Sequence, residues 1–161
     1  MPTPANNVWI PSHARVVTID SFIPVPRGTT AAAPPPLNWP TKDPSDVLDY
    51  ILDIGPAIVG NDGDRIATLD VSLAPSNPGD LVMRSSTTDG CRVILWLSGG
   101  QAGMVYTLTF AISTINGRSL QRSVLLPVLL LSVPEIPAEA VLISTGTMLT
   151  DQNGNPVLAP N

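Results

Sequence analysis

Residues 96–112 read Trp96-Leu97-Ser98-Gly99-Gly100-Gln101-Ala102-Gly103-Met104-Val105-Tyr106-Thr107-Leu108-Thr109-Phe110-Ala111-Ile112. The stretch begins as the end of one predicted strand, crosses a Gly-rich turn and continues as a second strand. In that second strand Tyr106, Leu108, Phe110 and Ile112 alternate with Thr and Ala, which is the period-two pattern of a half-buried strand. We therefore expect these four side chains in the core of a β-protein.

Tyr106 opens this strand shortly after the Gly-rich turn. The tyrosine corner of immunoglobulin-like sandwiches has this position, with the ring inward and the hydroxyl bonded back to the backbone. The alternative is an ordinary core aromatic residue. Both interpretations make Tyr106 structural rather than catalytic.

The middle of the chain continues the pattern of short strands and turns. Tyr50 and Leu69 lie on the apolar faces of two further strands and join the predicted core. Asn116-Gly117 is the strongest short-range hairpin signal, and Pro127 is compatible only with a sheet edge or a bulge. The predicted strands are residues 48–54, 65–74, 81–85, 91–97, 106–114 and 119–131, with a turn at 87–90. The pattern predicts an all-β fold, an immunoglobulin-like sandwich of six or seven antiparallel strands.

The two ends of the chain differ from this middle. Residues 1–45 are rich in proline and predict an extended arm, residues 46–132 form the sandwich, and residues 133–161 form a tail with a possible small hairpin. Residues 15–23 are β-branched and typical of a segment that adds to a sheet edge of a neighbouring subunit. Trp9 and Trp39 flank that segment and are expected to be buried against a partner or the sandwich, the alternative being exposed linker residues. The interface candidates are Trp9, Val17, Ile19, Phe22, Trp39, Val141 and Ile143.

Composition excludes several classes of function. The net charge is −5 and the eight Lys and Arg residues are scattered, which argues against nucleic acid as a partner. The most apolar run, residues 124–133, is shorter than the ~20 residues of a membrane span, so no membrane is expected and the run is predicted to be a buried strand or an interface. Cys91 is the single cysteine and no signal peptide is evident, which favours folding in a reducing cytoplasm.

No set of residues predicts chemistry, and we expect no catalytic, cofactor or metal site. His13 is the only histidine, and Ser98 lacks both a nucleophile-elbow motif and a base. Asp49 and Asp53 are expected on a solvated outward face of one strand. Residues 61–64 have the alternating oxygen ligands of a calcium loop but lack its downstream Glu, so a plain turn is favoured.

The chain resembles the fibre-tail adaptor proteins of tailed bacteriophages. The resemblance is carried by residues 95–109, by Gly117-Arg118, by residues 121–126 and by residues 49–53, and it covers about residues 46–130. It implies a small immunoglobulin-like virion protein without enzymatic activity. Such a protein joins a receptor-binding fibre to the phage tail or head-tail connector.

The leading hypothesis is therefore a structural adaptor whose two arms wrap neighbouring subunits. Its partners are other virion proteins, in several copies of a symmetric assembly, and its location is the virion tail after assembly in the host cytoplasm. The alternative is a carbohydrate- or receptor-binding module of a fibre or adhesin. That alternative depends on Trp96, whose strand face also carries Arg92 and Ile94, as a platform for a sugar ring.

Overall fold

The chain forms two compact units. The computed structural model describes residues 10, 12–19, 35–60, 63–132, 140–141, 148–152 and 155–158. The first unit is Met1–Leu131 and the second is Ser132–Asn161.

The described part of the first unit is an all-β sandwich, as predicted. One sheet has the strand order β1-β3-β6-β5 and the other β2-β8-β7-β4. Besides the strands there are a 3-10 turn, His13–Arg15, and one helical turn, Gly55–Ile58. The strands are β1 (Val16–Thr18), β2 (Leu37–Asn38), β3 (Val47–Asp53), β4 (Ile66–Ala74), β5 (Leu81–Asp89), β6 (Arg92–Gly99), β7 (Val105–Thr114) and β8 (Ser119–Pro127).

Six of these strands, β3 to β8, pair in antiparallel fashion. The other two come from the Pro-rich region and pair in parallel, with Val16 opposite Ile51 and Leu37 opposite Val124. Segments that the sequence assigns to an extended arm are thus strands of the two sheets.

Alternating side chains of both sheets meet in the core. Tyr106, Leu108, Phe110 and Ile112 of β7 are buried, whereas Val105 and Ala111 on the other face are exposed. Tyr50 is buried opposite them on β3, and Leu69 of β4 is half-buried and packs against the core. The period-two pattern of the sequence therefore sets which face of each strand is buried.

Two predicted strand ends and the predicted position of Pro127 were wrong. The turn expected at residues 87–90 is shorter, because Thr87 and Thr88 continue the ladder with β6 up to the pair Asp89 and Arg92. The last strand ends at Pro127 rather than Leu131. Pro127 lies at the end of a strand inside its sheet, not at a sheet edge or a bulge, and its carbonyl accepts a hydrogen bond from the Lys42 amide.

The second unit contains short antiparallel pairings. Among its described residues, Ala140 pairs with Leu158 and Thr150 pairs with Pro156. The hairpin expected around Gly146 lies largely outside the described residues.

Candidate assembly interface

The N-terminal segment 12–19 runs along the edge of β3 that faces away from β6, and it binds Asp49. Arg15 Nη2 donates to Asp49 Oδ1 at 2.6 Å, Arg15 Nε donates to the Asp49 carbonyl at 2.6 Å, and the Ser12 amide donates to Asp49 Oδ2 at 3.3 Å. Asp49 is consequently 5% exposed, so the expectation that it is solvated was wrong. Burial opposes ionisation of Asp49, but the hydrogen bonds from Arg15 and Ser12 lower its pKa below the usual value.

Two interface candidates of this segment are part of the chain's own packing. Ile19 is buried in the core, and its amide donates to the Asp53 carbonyl at 3.0 Å. Val17 is half-buried against the core, and in the second unit Val141 is also half-buried. The candidates Trp9, Phe22 and Ile143 lie outside the described residues.

Trp39, another interface candidate, lies between the two sheets. The centroid of its ring is 5.3 Å from the ring centroid of Tyr50 and 6.0 Å from that of Phe110, both in edge-to-face geometry. Its indole Nε1 donates to the Ile51 carbonyl at 3.0 Å, and its amide donates to the Leu125 carbonyl at 2.9 Å. Trp39 thus links both sheets within one chain and is 2% exposed.

A buried polar junction follows Trp39. Lys42 is fully buried, and its Nζ donates to the carbonyls of Asp43 at 2.7 Å and Gly99 at 2.9 Å. Burial lowers the pKa of Lys42, while the charges of Asp46 and Asp43 act in the opposite direction. The Asp43 carboxylate accepts hydrogen bonds from the Leu131 amide at 2.8 Å and from Ser45. The junction therefore fixes the backbone that follows β8.

An apolar ridge lies beside this junction. It comprises Met104, Val105, Leu129, Leu130 and Leu131, whose side chains are between 38% and 58% exposed. The Leu129 amide donates to the Lys42 carbonyl at 3.0 Å, and the Val128 amide donates to the Met104 carbonyl at 2.9 Å. The backbone under the ridge is thus held in place although its apolar side chains contact water. Exposed apolar groups of this kind mark interaction surfaces.

Tyr106 has the geometry of a tyrosine corner. Its hydroxyl accepts from the Gln101 amide at 2.9 Å and donates to Asp80 Oδ1 at 2.9 Å. Asp80 also accepts from the Asn77 amide at 2.7 Å and from Gln101 Nε2 at 3.0 Å. The turn between the ends of β6 and β7 needs Gly100 (φ +98°), because a Cβ there would lie 3.0 Å from Val128 Cγ2. The cluster holds together the loop 75–80 and the loop 100–104. Both loops lie at the end of the sandwich that carries the ridge.

We predict that Tyr106→Phe lowers the free energy of unfolding by about 1–3 kcal/mol, because the Gln101 amide loses its buried acceptor. The Asn77 amide is the main cause of the lowered pKa of Asp80, and the Tyr106 hydroxyl adds to it. A carboxylate with a lowered pKa stabilises the fold above its unfolded pKa of about 3.9, and this stabilisation is lost as the pH falls through the folded pKa. The acid midpoint of Tyr106→Phe should therefore lie at higher pH than that of the wild type. Urea unfolding between pH 2 and 7 measures both effects, and an unchanged acid midpoint would contradict the second.

The polar clusters of the described residues hold turns and strands together. Asp64, in the predicted calcium-like loop, accepts from the Thr114 hydroxyl and the Asn116 amide and so fastens the β7–β8 turn. Across the described residues there is no group of three His, Cys, Asp or Glu side chains suited to a metal ion. Nor does any helix in that part of the chain have the length and apolar character needed to span a membrane.

Sequence reasoning missed two of these residues, Lys42 and Asp80. Lys42 is the only lysine of the chain and stands three residues after Trp39. These two facts are the only signals in the sequence that indicate a buried position. Asp80 follows a Pro-Gly turn and was not distinguishable from a solvated turn residue.

These features define a structural β-sandwich with an exposed apolar ridge. The chain belongs to the family described as the podophage GP4 fiber-tail adaptor protein gp77 (Gp77), whose model matches residues 42–127. The match begins at the buried Lys42 and ends at Pro127, and it confirms the resemblance seen in the sequence. Comparison with curated proteins gives no match. The protein is accordingly a structural adaptor of the phage virion tail.

Proposed function

We propose that this chain attaches a tail fibre to the tail or head-tail connector of the particle, and that the apolar ridge is the surface that contacts the tail side. The observation that carries the proposal is that five exposed apolar side chains stand on backbone held by hydrogen bonds, Leu129 and Leu131 by Lys42 and Asp43 and Met104 by Val128. A preformed surface binds without first paying the entropy of ordering. A rigid surface of this kind suits the attachment of a fibre to the tail, which has to withstand mechanical force.

The chemistry of the ridge defines its partner. Residues 98–117 and 123–134 contain no Asp, Glu, Lys or Arg, so the segments that carry the ridge are neutral, and the neighbouring Lys42 and Asp43 are buried. The partner surface is therefore apolar, which fits a virion protein better than nucleic acid or a lipid headgroup. The proposal includes several copies of the chain in a symmetric assembly that is put together in the host cytoplasm. Catalysis has no part in this proposal.

The carbohydrate-binding alternative receives less support. Trp96 is half-buried, and Ile94 on the same face is 5% exposed. Little of that face is left to stack on a sugar ring.

We predict that Leu130→Asp removes both this chain and the fibre from the particle. A charge on the ridge has to be desolvated against an apolar partner, so incorporation should fall at least tenfold. A phage lacking the gene is complemented with the variant, and purified particles are analysed by quantitative mass spectrometry for both proteins.

Val59→Asp is the matched control, because Val59 is 76% exposed and follows the helical turn after β3. The end of β3 pairs with the start of β6, at the end of the sandwich opposite the ridge. It should incorporate normally. Particles that keep Leu130→Asp but lack the fibre would show that the ridge binds the fibre instead. Normal amounts of both proteins would show that the ridge is no interface.

A further inference from the structure

Three backbone hydrogen bonds close a ring in the second unit. The Val141 amide donates to the Val157 carbonyl at 2.8 Å, and the Leu149 amide donates to the Val141 carbonyl at 2.8 Å. The Val157 amide donates to the Leu149 carbonyl at 2.9 Å. Each of the three residues donates to one neighbour in the ring and accepts from the other. The three short segments that contain Val141, Leu149 and Val157 are therefore arranged about an approximate threefold axis.

The sequence has the same period as the ring. Val141, Leu149 and Val157 are spaced by eight residues, and so are Gly146 and Gly154. An apolar residue followed five positions later by glycine thus occurs twice, and a third repeat begins at Val157. Spacing and hydrogen bonding independently give three equivalent segments in one chain.

This unit has few means of stabilising itself. Residues 132–161 contain no aromatic residue, no cysteine and no Lys or Arg. Units shorter than about 40 residues usually need a disulfide, a metal or a partner. Leu149 and Leu158 are 43% and 50% exposed, so apolar surface is still uncovered. The formal charge of the unit is negative, from Glu135, Glu139 and Asp151.

We propose that the second unit caps the threefold end of a homotrimeric virion protein, one chain per trimer, with the two axes aligned. This deepens the proposed function, on which it rests, by making the fibre side the partner of residues 132–161. A trimer presents each surface three times about its axis, and a unit with approximate threefold symmetry can meet all three copies in equivalent ways. The negative formal charge and the exposed leucines of the unit favour a trimer end that is both basic and apolar.

The first test is stoichiometry. The full chain is mixed with the purified tail-fibre protein of the same virion, and native mass spectrometry counts the subunits of both in the complex. One chain per three fibre subunits is expected. Three chains per fibre trimer, or a fibre that is not a trimer, would overturn the symmetry match while leaving the adaptor function intact. A wild-type chain that does not bind the fibre would refute the assignment of the fibre as partner, and with it this inference.

The ring itself is tested with three proline variants of the full chain, Val141→Pro, Leu149→Pro and Val157→Pro. Each removes one N–H of the ring, so each should weaken fibre binding at least tenfold and to a similar extent. The control is Gln152→Pro, which lies in a turn and donates none of the ring bonds. All three tryptophans lie in the first unit, so their fluorescence shows whether the sandwich remains folded. Wild-type affinity in any of the three variants would contradict the ring's role.

A second pair of variants leaves the ring bonds in place. Leu149→Lys adds a positive charge against the proposed basic end of the trimer, and Leu149→Glu adds a negative charge at the same exposed position. Leu149→Lys should lose at least tenfold more affinity than Leu149→Glu at low salt, and the difference should shrink at high salt. Equal losses, or a greater loss for Leu149→Glu, would contradict a basic partner surface.

Discussion

Trp39→Ala is expected to lower the free energy of unfolding by about 3–5 kcal/mol, the usual cost of truncating a buried large aromatic side chain. The Trp39 ring contacts Tyr50 of one sheet and Phe110 of the other, so its loss opens a cavity that spans the sandwich. The Ile51 carbonyl also loses the donor Nε1. The region before β3 would then contribute as much to stability as a central strand, although it is rich in proline.

Trp39→Phe serves as the control, because it loses the indole N–H but keeps an aromatic ring and part of the ring contact. Its cost should be about 1–2 kcal/mol. Urea unfolding of the full chain followed by far-ultraviolet circular dichroism measures both variants. A loss below about 1 kcal/mol for Trp39→Ala would show that residues 35–43 are an appendage and that the sandwich is complete without them.

The strands of the sandwich could be predicted from the sequence because their signals are local. Alternation in residues 106–112 places Tyr106 and Phe110 in the core, and Asn116-Gly117 places the β7–β8 turn. Gly117 has a φ of +84°, which is why this pair is a reliable signal. Local patterns also gave the six antiparallel strands and, through the resemblance of residues 95–109, the family.

The parallel pairing of β1 and β2 within the chain and the polar junctions could not be predicted, because no local pattern encodes the partner strand. β1 and β2 contain three and two residues, too few for a period, and their partners lie far along the chain. Asp49 resembles any outward-facing carboxylate until Arg15 is placed over it. The leucine run predicts either a buried strand or an interface, and no local signal shows that the sheet ends before Leu129 and Leu131 and leaves them exposed.

Lys42→Met should cost about 2–4 kcal/mol, the second-largest loss expected in this chain. Methionine fills a similar volume, but the carbonyls of Asp43 and Gly99 lose their shared donor in a buried position. The ridge should suffer as well, because the Lys42 backbone and Asp43 hold Leu129 and Leu131. Hydrogen exchange of the Leu129 and Leu131 amides should therefore accelerate in the variant more than exchange in β7. Uniform acceleration would mean that Lys42 stabilises the whole sandwich and not the ridge in particular.

Because Lys42 is the only lysine of the chain, the rate of amine labelling reports how accessible the same junction is in the wild-type protein. Amine-reactive labelling has two targets in the chain, the N-terminus and the Lys42 Nζ. Burial lowers the pKa of Lys42, so a larger fraction of its amine is neutral and reactive than for an ordinary lysine at the same pH. Slow labelling can then be due only to the lack of access in the folded state.

Lys42 should label at least a hundredfold more slowly in the native chain than in urea, and Trp39→Ala should accelerate the native labelling because it opens the core next to the junction. Native labelling at the unfolded rate would show that the Lys42 amine lies in solvent, and the ridge would then have no rigid support.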